Sequence, residues 1–159
     1  MSKVIILVFS VISVGFACYC ASKSQRTTYN VADIVAIVQI TQRYAVGSEM
    51  FYKIRYVNQF KPPFLRTTRG RTVHLPLLPQ QIRTPIAFMN CGALDLWPNS
   101  EYLIAGTIKN NTIQLDKCSG FPIQETGLPL SAFPRSSISP QLIALLRSFF
   151  MNLQNSTVV

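Results

Sequence analysis

The sequence predicts a mainly β fold, a small barrel of short strands with one helix packed on it at the C-terminal end. Three observations support this prediction. Short runs rich in β-branched and aromatic residues recur along the chain, with irregular connections between them. Apolar residues near the C-terminus recur at helical spacing instead. The length of 159 residues is that of one domain, with enough chain to bury a core.

The N-terminus has the pattern of a secretory signal peptide. Residues 1–17, MSKVIILVFSVISVGFA, combine one positive charge at Lys3 with a continuous apolar run and small residues at Gly15 and Ala17. The apolar run has about 14 residues, whereas a membrane span needs roughly 18 or more, so a transmembrane segment is the weaker alternative. Cleavage after Ala17 would leave one secreted, extracellular domain, residues 18–159.

Five strands are predicted in this domain. They are Asp33–Ile40, Met50–Phe60, Thr72–Leu78, Glu101–Ile108 and Thr112–Asp116. The first is a β-branched run typical of a buried strand, the second alternates apolar and charged residues, and Pro76 favours an edge or a bulge in the third. Lys109, Asn110 and Asn111 join the last two as a hairpin. Together they favour a five-stranded, Greek-key barrel of the oligonucleotide/oligosaccharide-binding (OB) kind.

A helix is predicted after the strands. Ser139 suits the N-cap position and Pro140 the first helical position. Apolar residues then recur at helical spacing: Leu142, Leu145, Leu146, Phe149 and Phe150. We expect this helix to cover the open side of the sheet. An amphipathic helix that binds a membrane surface is the alternative.

Four cysteines in an exported chain imply two disulfides, because the extracellular compartment is oxidising. They are Cys18, Cys20, Cys91 and Cys118. A bond between Cys18 and Cys20 would close a strained small ring, so two pairings remain, and both tie these residues to Cys91 and Cys118. Zinc ligation is the competing use of four cysteines, but the paired C-x-x-C motifs of structural zinc sites are absent. We therefore expect no metal ion of the protein's own.

The chain is strongly basic. Its formal net charge is +9, and removal of Lys3 with the signal peptide would lower it to +8. In a secreted protein this excess favours anionic glycans, acidic protein surfaces or phospholipid over nucleic acid. Lys61, Arg66, Arg69 and Arg71 lie in a long connection and are predicted to bind an anion such as a sulfated glycan. A solvated loop without a partner is the alternative.

The residues needed for most enzymatic sites are missing. The single histidine, His74, lies in an apolar run and is predicted to be structural; no H-E-x-x-H, G-x-S-x-G, P-loop or dinucleotide motif occurs, and the six carboxylates are scattered. The sequence therefore predicts a binding protein rather than an enzyme, without a cofactor. Asn110 and Asn155 each begin an N-x-S/T motif and are candidate glycan acceptors.

Several of these stretches together resemble the tissue inhibitors of metalloproteinases (TIMPs), a family within the netrin-like modules. The shared features, in the family's order, are Cys18-Tyr19-Cys20 behind a signal peptide, residues 30–38 (NVADIVAIV), Cys91-Gly92, residues 101–106 (EYLIAG) and Leu115–Cys118. The Cys-x-Cys terminus and EYLIAG followed by a cysteine are the most specific. The six-cysteine C-terminal domain of vertebrate members is missing, so the chain looks like a single-domain, invertebrate-style relative.

The resemblance implies that Cys18 pairs with Cys91 and Cys20 with Cys118, and that the protein inhibits zinc metalloproteinases of the matrix or disintegrin type. The free amine and carbonyl oxygen of Cys18 would chelate the zinc of the protease and displace the water nucleophile. The inhibitory ridge would comprise Cys18, Tyr19, Cys20, Ala21, Met89, Asn90 and Cys91. The resemblance implies no resident cofactor, and we expect a monomer without nucleic-acid or membrane partners.

The chain departs from the family pattern at two positions. Tyr19 stands where the family has a small Ser or Thr, which should restrict inhibition to proteases with a deep pocket or weaken it broadly. Tyr29 stands where the family has a cysteine of a third disulfide, and the C-terminal helix also lacks the partner cysteine. The alternative function is therefore a non-inhibitory netrin-like module that binds sulfated glycans or extracellular signalling partners. A secreted enzyme or a nucleic-acid binder is a third interpretation.

Overall fold

The computed structural model describes residues 23–62, 64–66, 72–74, 77–86, 95–115, 118, 120–122, 129–130 and 132–156. In chain order, its elements are α1 (Gln25–Val31), β1 (Ile34–Val46), β2 (Glu49–Lys61), β3 (Phe64–Arg66), β4 (Thr72–His74), β5 (Gln81–Pro85), β6 (Glu101–Lys109), β7 (Thr112–Gln114), β8 (Phe121–Pro122), β9 (Pro129–Leu130), β10 (Ala132–Pro134), a 3-10 turn (Arg135–Ser137) and α2 (Pro140–Ser156). The predicted mainly β class with a C-terminal helix is confirmed.

Six strands form the main sheet in the order β1-β2-β5-β7-β6-β10, and β1 also pairs with β6. The β1–β2 pair is the longest and antiparallel, and β5 and β7 pair in parallel. Strands β3 and β4 form a separate two-stranded sheet, as do β8 and β9. The strand pairings thus form a closed series: β1 pairs with β2, β2 with β5, β5 with β7, β7 with β6, and β6 with β1.

Three of the predicted strands are present over their predicted regions, and the other two are shorter than predicted. The first, second and fourth predicted strands are present, and the structure extends β1 to Val46. The fifth is shorter than predicted, ending at Gln114. Of the predicted strand Thr72–Leu78, Thr72–His74 form β4, which pairs with β3 outside the main sheet, and Leu77 and Leu78 are not part of a strand. The main sheet instead contains β5, which the sequence analysis did not predict; only Ile82 and Thr84 are buried in it, so the run carries little apolar signal.

Two local predictions are confirmed by the backbone. Asn110 and Asn111 have φ angles of 51° and 55°, and Lys109 pairs with Thr112 across them, which defines a two-residue hairpin turn. The backbone N–H of Leu142 donates to Ser139 Oγ at 3.2 Å, the N-cap contact expected at the start of α2.

The core consists of two apolar clusters on the two faces of β1. Ile34, Val38 and Ile40 belong to the first cluster, and Val35 and Ile37 to the second. Since successive side chains of a strand point to opposite faces, the first half of β1, from Ile34 to Ile40, is buried on both sides, which explains its continuous β-branched run. The second cluster also contains residues of both helices: Tyr29, Leu142 and Leu146. Helix α2 therefore covers one face of the sheet, as predicted.

Candidate functional site

All seven residues of the predicted ridge lie outside the described residues. They are Cys18, Tyr19, Cys20, Ala21, Met89, Asn90 and Cys91. The residues that flank them are described: Lys23 and α1 follow the first segment, and Ile86 and Asp95 enclose the second. These flanks determine where each segment leaves the folded domain.

Helix α1 holds the chain directly behind the first segment, and the sequence analysis did not predict it. Its N-cap is Ser24, whose Oγ accepts a hydrogen bond from the backbone N–H of Thr27 at 3.0 Å. Thr28 and Tyr29 are the buried residues of this helix. The Thr28 hydroxyl donates to the carbonyl oxygen of Gly120 at 3.5 Å. The Ser24 cap was the one sequence signal that could have indicated this helix.

Tyr29 joins α1 to both β2 and α2. Its side chain is 1% exposed, its hydroxyl donates to the carbonyl oxygen of Phe60 at 2.6 Å, and its ring centroid lies 5.1 Å from that of Phe149. Burial raises the pKa of the Tyr29 phenol to about 12. Tyr29, which stands where the resembled family has a disulfide cysteine, thus contacts the C-terminal helix through its aromatic side chain.

Lys61 caps α1 from the neighbouring strand. Its ammonium donates to the carbonyl oxygens of Tyr29, Asn30 and Ala32, at the end of α1 where carbonyls have no partner within the helix. It also lies 5.5 Å from the centroid of the Tyr29 ring. A cation here is favoured by the partial negative charge of the helix C-terminus. We call Thr28, Tyr29, Lys61 and Phe149 the anchored end.

Lys61 therefore does not lie in the long connection where the sequence analysis places it. It is the last residue of β2, it is 9% exposed, and its ammonium contacts three carbonyls. A run of basic residues around prolines is typical of a solvated loop, and only the tertiary contact with α1 reverses that reading. Of the other predicted anion-binding residues, Arg66 lies on β3, but the structure describes only its backbone. Arg69 and Arg71 lie outside the described residues.

A groove of about 230 Å³ runs between α1 and β6. It is lined by Lys23, Thr28, Val31, Ala32, Ala105, Gly106, Thr107 and Cys118. Cys118 is disulfide-bonded, and the chain's other three cysteines lie outside the described residues. Lys23 comes three residues after Cys20 in the sequence, so the N-terminal segment enters the domain beside Cys118.

The EYLIAG stretch forms the wall of this groove, and Gly106 explains part of the motif. A Cβ at Gly106 would lie 2.5 Å from Ile113 Cγ2 and 2.8 Å from Leu115 Cδ2, so a side chain here would displace these two buried residues. The carbonyl of Gly106 accepts from the backbone N–H of Asp33 at 2.9 Å, which aligns the chain after α1 with β6. The motif is thus required for close packing at the anchored end.

The second ridge segment leaves from the opposite end of the β1–β2 pair. The backbone N–H of Ile86 donates to Ser48 at 2.9 Å, and Asp95 Oδ1 accepts from Arg43 Nη1 at 2.6 Å. The Arg43 guanidinium lies 5.2 Å from the ring centroid of Trp97. Tyr44 stacks on Phe51 with 5.6 Å between ring centroids. We call Arg43, Tyr44, Phe51, Asp95 and Trp97 the hairpin end; it was not predicted from the sequence.

The described part of the chain offers little else as a chemical site. Within the described ranges, no three His, Cys, Asp or Glu side chains come together as a group that could hold a metal ion. Neither of the two helices in these ranges has the length and apolar character needed to cross a membrane. His74 lies on β4, but the structure describes only its backbone.

Comparison with protein-family models found no matching model, and comparison with curated protein sequences found no significant match. The resemblance to the TIMPs therefore depends on the quoted motifs and on their order along the chain. The described structure adds two physical facts to them: α1 is fastened directly behind Cys20, and a disulfide-bonded Cys118 lies beside its entry point.

Proposed function

We propose that this protein is a secreted inhibitor of zinc metalloendopeptidases of the matrix or disintegrin type. Its mature N-terminal residue would be Cys18, and the free amine and carbonyl oxygen of that residue would chelate the catalytic zinc of the protease. One observation carries the proposal: Lys23, five residues after Cys18, lines the same groove as the disulfide-bonded Cys118. The chain terminus thus leaves from a fixed point of the fold.

Chain reach supports the proposed pairing of Cys20 with Cys118. Three residues of extended chain span at most about 10 Å, and the Cα atoms of a disulfide lie about 4.4–6.8 Å apart. Because Lys23 and Cys118 line the same groove, a chain of this reach is compatible with a bond between Cys20 and Cys118. The second proposed bridge, Cys18 to Cys91, would then hold the terminal residue itself.

The strand pairings support a closed, OB-like Greek-key barrel for the proposed netrin-like domain. Five strands follow one another through hydrogen-bonded pairs that return to β1. Such a barrel would carry the terminal segment on a surface that is rigid before it meets a protease. Rigidity before binding reduces the entropy lost on docking, so a short ridge of seven residues could bind tightly.

The chemistry requires the amine of Cys18 to bind zinc in its neutral form. An α-amino group has a pKa of roughly 8, so a substantial fraction is neutral at extracellular pH and zinc can displace the remaining proton. The amine nitrogen and the carbonyl oxygen form a five-membered chelate ring with the metal. They replace the water that the protease uses as its nucleophile. The zinc is the protease's own, so the inhibitor would need no cofactor.

An inhibition titration tests this mechanism. The native secreted protein is compared with a variant that has one alanine ahead of Cys18 and with protein acetylated at its N-terminus, against matrix and disintegrin-type metalloproteinases. We expect both changes to abolish inhibition, because the amine becomes an amide and the extra group occupies the space around the zinc. Circular dichroism of each form checks that the fold is kept. An alanine-extended protein that inhibits as well as the native one would refute chelation.

The second candidate function is a netrin-like module that binds sulfated glycans or signalling partners without inhibiting a protease. The high positive charge favours it, and so do Lys53 and Arg55, which are exposed on β2. Heparin-column elution of the native protein and of an Arg66→Ala/Arg69→Ala/Arg71→Ala variant tests the basic connection. Later elution of the native protein, combined with no inhibition of any protease in the panel, would make this function the better account.

A further inference from the structure

We infer that Asn110 carries an N-linked glycan on the turn between β6 and β7. The inference rests on secretion, which is part of the proposed function, but not on protease inhibition. Asn110, Asn111 and Thr112 form an N-x-T acceptor motif. Such motifs are common by chance, so the argument depends on where the structure puts this one.

The turn presents Asn110 in the way that a glycan acceptor requires. Asn110 and Asn111 are both exposed, and their φ angles of 51° and 55° place them at the tip of a two-residue turn. The Thr112 hydroxyl donates to the carbonyl oxygen of Asn110 at 3.3 Å, so the acceptor and the hydroxyl of the motif lie on one short, ordered turn. A bulky carbohydrate here would extend into solvent without displacing any core residue.

The surroundings of the turn add a physical benefit. Asn111 lines a shallow depression of about 580 Å³ together with Tyr56, Leu77, Leu78, Gln80 and Gln81. Leu77 is 74% exposed, so apolar surface lies open beside the turn. A hydrophilic glycan on the neighbouring Asn110 would hinder other proteins from reaching that surface.

The second N-x-S/T motif of the chain lies in a different kind of element. Asn155 and Ser156 belong to the last turn of α2 rather than to a loop. Asn110 and Asn111 of the first motif form a turn between strands, whereas Asn155 and Ser156 belong to a helix that packs on the sheet. We therefore assign the glycan to Asn110 and not to Asn155.

The modification is a glycosyl transfer. The side-chain nitrogen Nδ2 of Asn110 forms a bond to the anomeric carbon of a lipid-diphosphate-linked oligosaccharide in the secretory pathway. The bond between that carbon and the diphosphate oxygen breaks, the lipid diphosphate leaves with the bonding electrons, and the proton lost from the amide passes to the medium. No atom is oxidised or reduced.

The full chain, expressed with its own N-terminal segment in cultured animal cells and purified from the medium, tests the assignment. Peptide N-glycosidase should increase the gel mobility of the native protein by one step and leave aspartate at position 110 in a peptide mass map. Asn110→Gln and Thr112→Val should abolish that shift. Thr112→Ser should keep it, because the hydroxyl remains. Asn155→Gln should leave it unchanged.

Asn111→Gln is the matched control. It keeps the acceptor motif as N-Q-T and disturbs the same turn at the neighbouring positive-φ position, so its effect on folding should resemble that of Asn110→Gln. Only Asn110→Gln should remove the glycan. Protein from the medium without carbohydrate at Asn110, or with carbohydrate at Asn155, would overturn the assignment.

The outcomes separate this inference from the proposed function. Asn110 belongs to neither ridge segment, and it lies beyond the Lys109 end of β6, about 30 Å of extended strand from Glu101. We therefore expect unglycosylated Asn110→Gln protein to inhibit proteases as the native protein does. An active secreted inhibitor with unmodified Asn110 refutes the glycan alone. A chain that stays in the cytosol unmodified refutes both the glycan and the secretion on which the proposed function depends.

Discussion

The anchored end and the hairpin end lie at opposite ends of the β1–β2 pair and are built in opposite ways. At the anchored end, Tyr29 is 1% exposed and Lys61 9% exposed, and their polar atoms bond to backbone carbonyls. At the hairpin end, residues 41–48 are all exposed, and Trp97 is 58% exposed. At the anchored end, the aromatic and basic side chains make contacts inside the protein. At the hairpin end, side chains of the same kinds are exposed to solvent.

This difference bears on how the proposed ridge is assembled. The N-terminal segment leaves from the anchored end at Lys23, whereas the segment containing Met89, Asn90 and Cys91 leaves from the hairpin end between Ile86 and Asp95. Each segment can span roughly 15 Å from its last fixed residue to its cysteine. The proposed Cys18–Cys91 bridge would therefore join segments that start from the two ends. The buried end would supply rigidity, and the exposed end would supply further contact surface.

The largest expected difference between the ends is in stability. Tyr29→Ala should lower the free energy of unfolding by about 3–5 kcal/mol, because it removes a buried aromatic ring and leaves a cavity between α1, β2 and α2. Tyr44→Ala removes the same side chain from the hairpin end and should cost less than about 1 kcal/mol. Denaturant unfolding with the disulfides intact measures both. Equal losses would show that the hairpin end is packed as tightly as the anchored end.

Lys61 offers a second comparison of matched residues. Lys61→Met keeps the length of the side chain but leaves three carbonyls without their donor, and should cost about 1–3 kcal/mol. Lys53→Met, on the exposed face of the same strand, should change stability by no more than about 0.5 kcal/mol. Denaturant unfolding of both variants, with the disulfides intact, measures these two losses. A loss at Lys53 as large as that at Lys61 would contradict the capping role.

A smaller effect should appear at high pH. The pKa of Tyr29 is about 12 in the folded protein, compared with about 10 for an unperturbed tyrosine. A group whose folded pKa is raised contributes its stability below the unfolded pKa, and that contribution is lost as the pH rises from about 10 to 12. Tyr29→Phe removes one hydrogen bond, costing about 1 kcal/mol at neutral pH.

The Tyr29→Phe variant also isolates this residue from the other buried tyrosines. Burial raises the pKa of Tyr52 and Tyr56 as well, so the native protein has more than one source of alkaline destabilisation. The stability advantage of the native protein over the variant should shrink as the pH rises above 10 and should be lost before pH 12. A gap that stays constant across that range would mean that the Tyr29 phenol is not protected from ionisation.

The smallest effect is expected for the ion pair at the hairpin end. Arg43 and Asp95 are both exposed, so Asp95→Asn should change the unfolding free energy by less than about 1 kcal/mol, and added salt should reduce even that. Unfolding curves at low and high ionic strength measure it. A loss of several kcal/mol that persists in high salt would show that this end is structurally organised around the pair.

The features that were predicted correctly depend on local chemistry. The Ser139 cap, the helix after it and the Asn110–Asn111 turn need only neighbouring residues, and β1 shows its double burial in a continuous apolar run. Helix α1 was missed because its seven residues, QRTTYNV, have no apolar periodicity. Strand β5 was missed because its edges are polar and it ends in proline.

The candidate site was less predictable than the fold. Lys61 and Tyr29 are 32 positions apart. Neither lysine nor tyrosine is a residue type that is usually fully buried. Their roles come from the carbonyls at the end of α1, which no periodicity in the sequence reveals. The Arg43–Asp95 pair likewise joins residues 52 positions apart. Long-range contacts between polar side chains are the part of this structure that sequence patterns do not encode.

Peptide mapping of the secreted protein without reduction tests the central claim most directly, because it reports the mature N-terminus and both disulfides at once. The account predicts a first peptide that begins at Cys18 with a free amine, with Cys18 linked to Cys91 and Cys20 linked to Cys118. Those links would connect the terminus to both ends of the β1–β2 pair. A mature chain that begins elsewhere, an N-terminal amine that is blocked, or the crossed pairing of Cys18 with Cys118 would contradict the account.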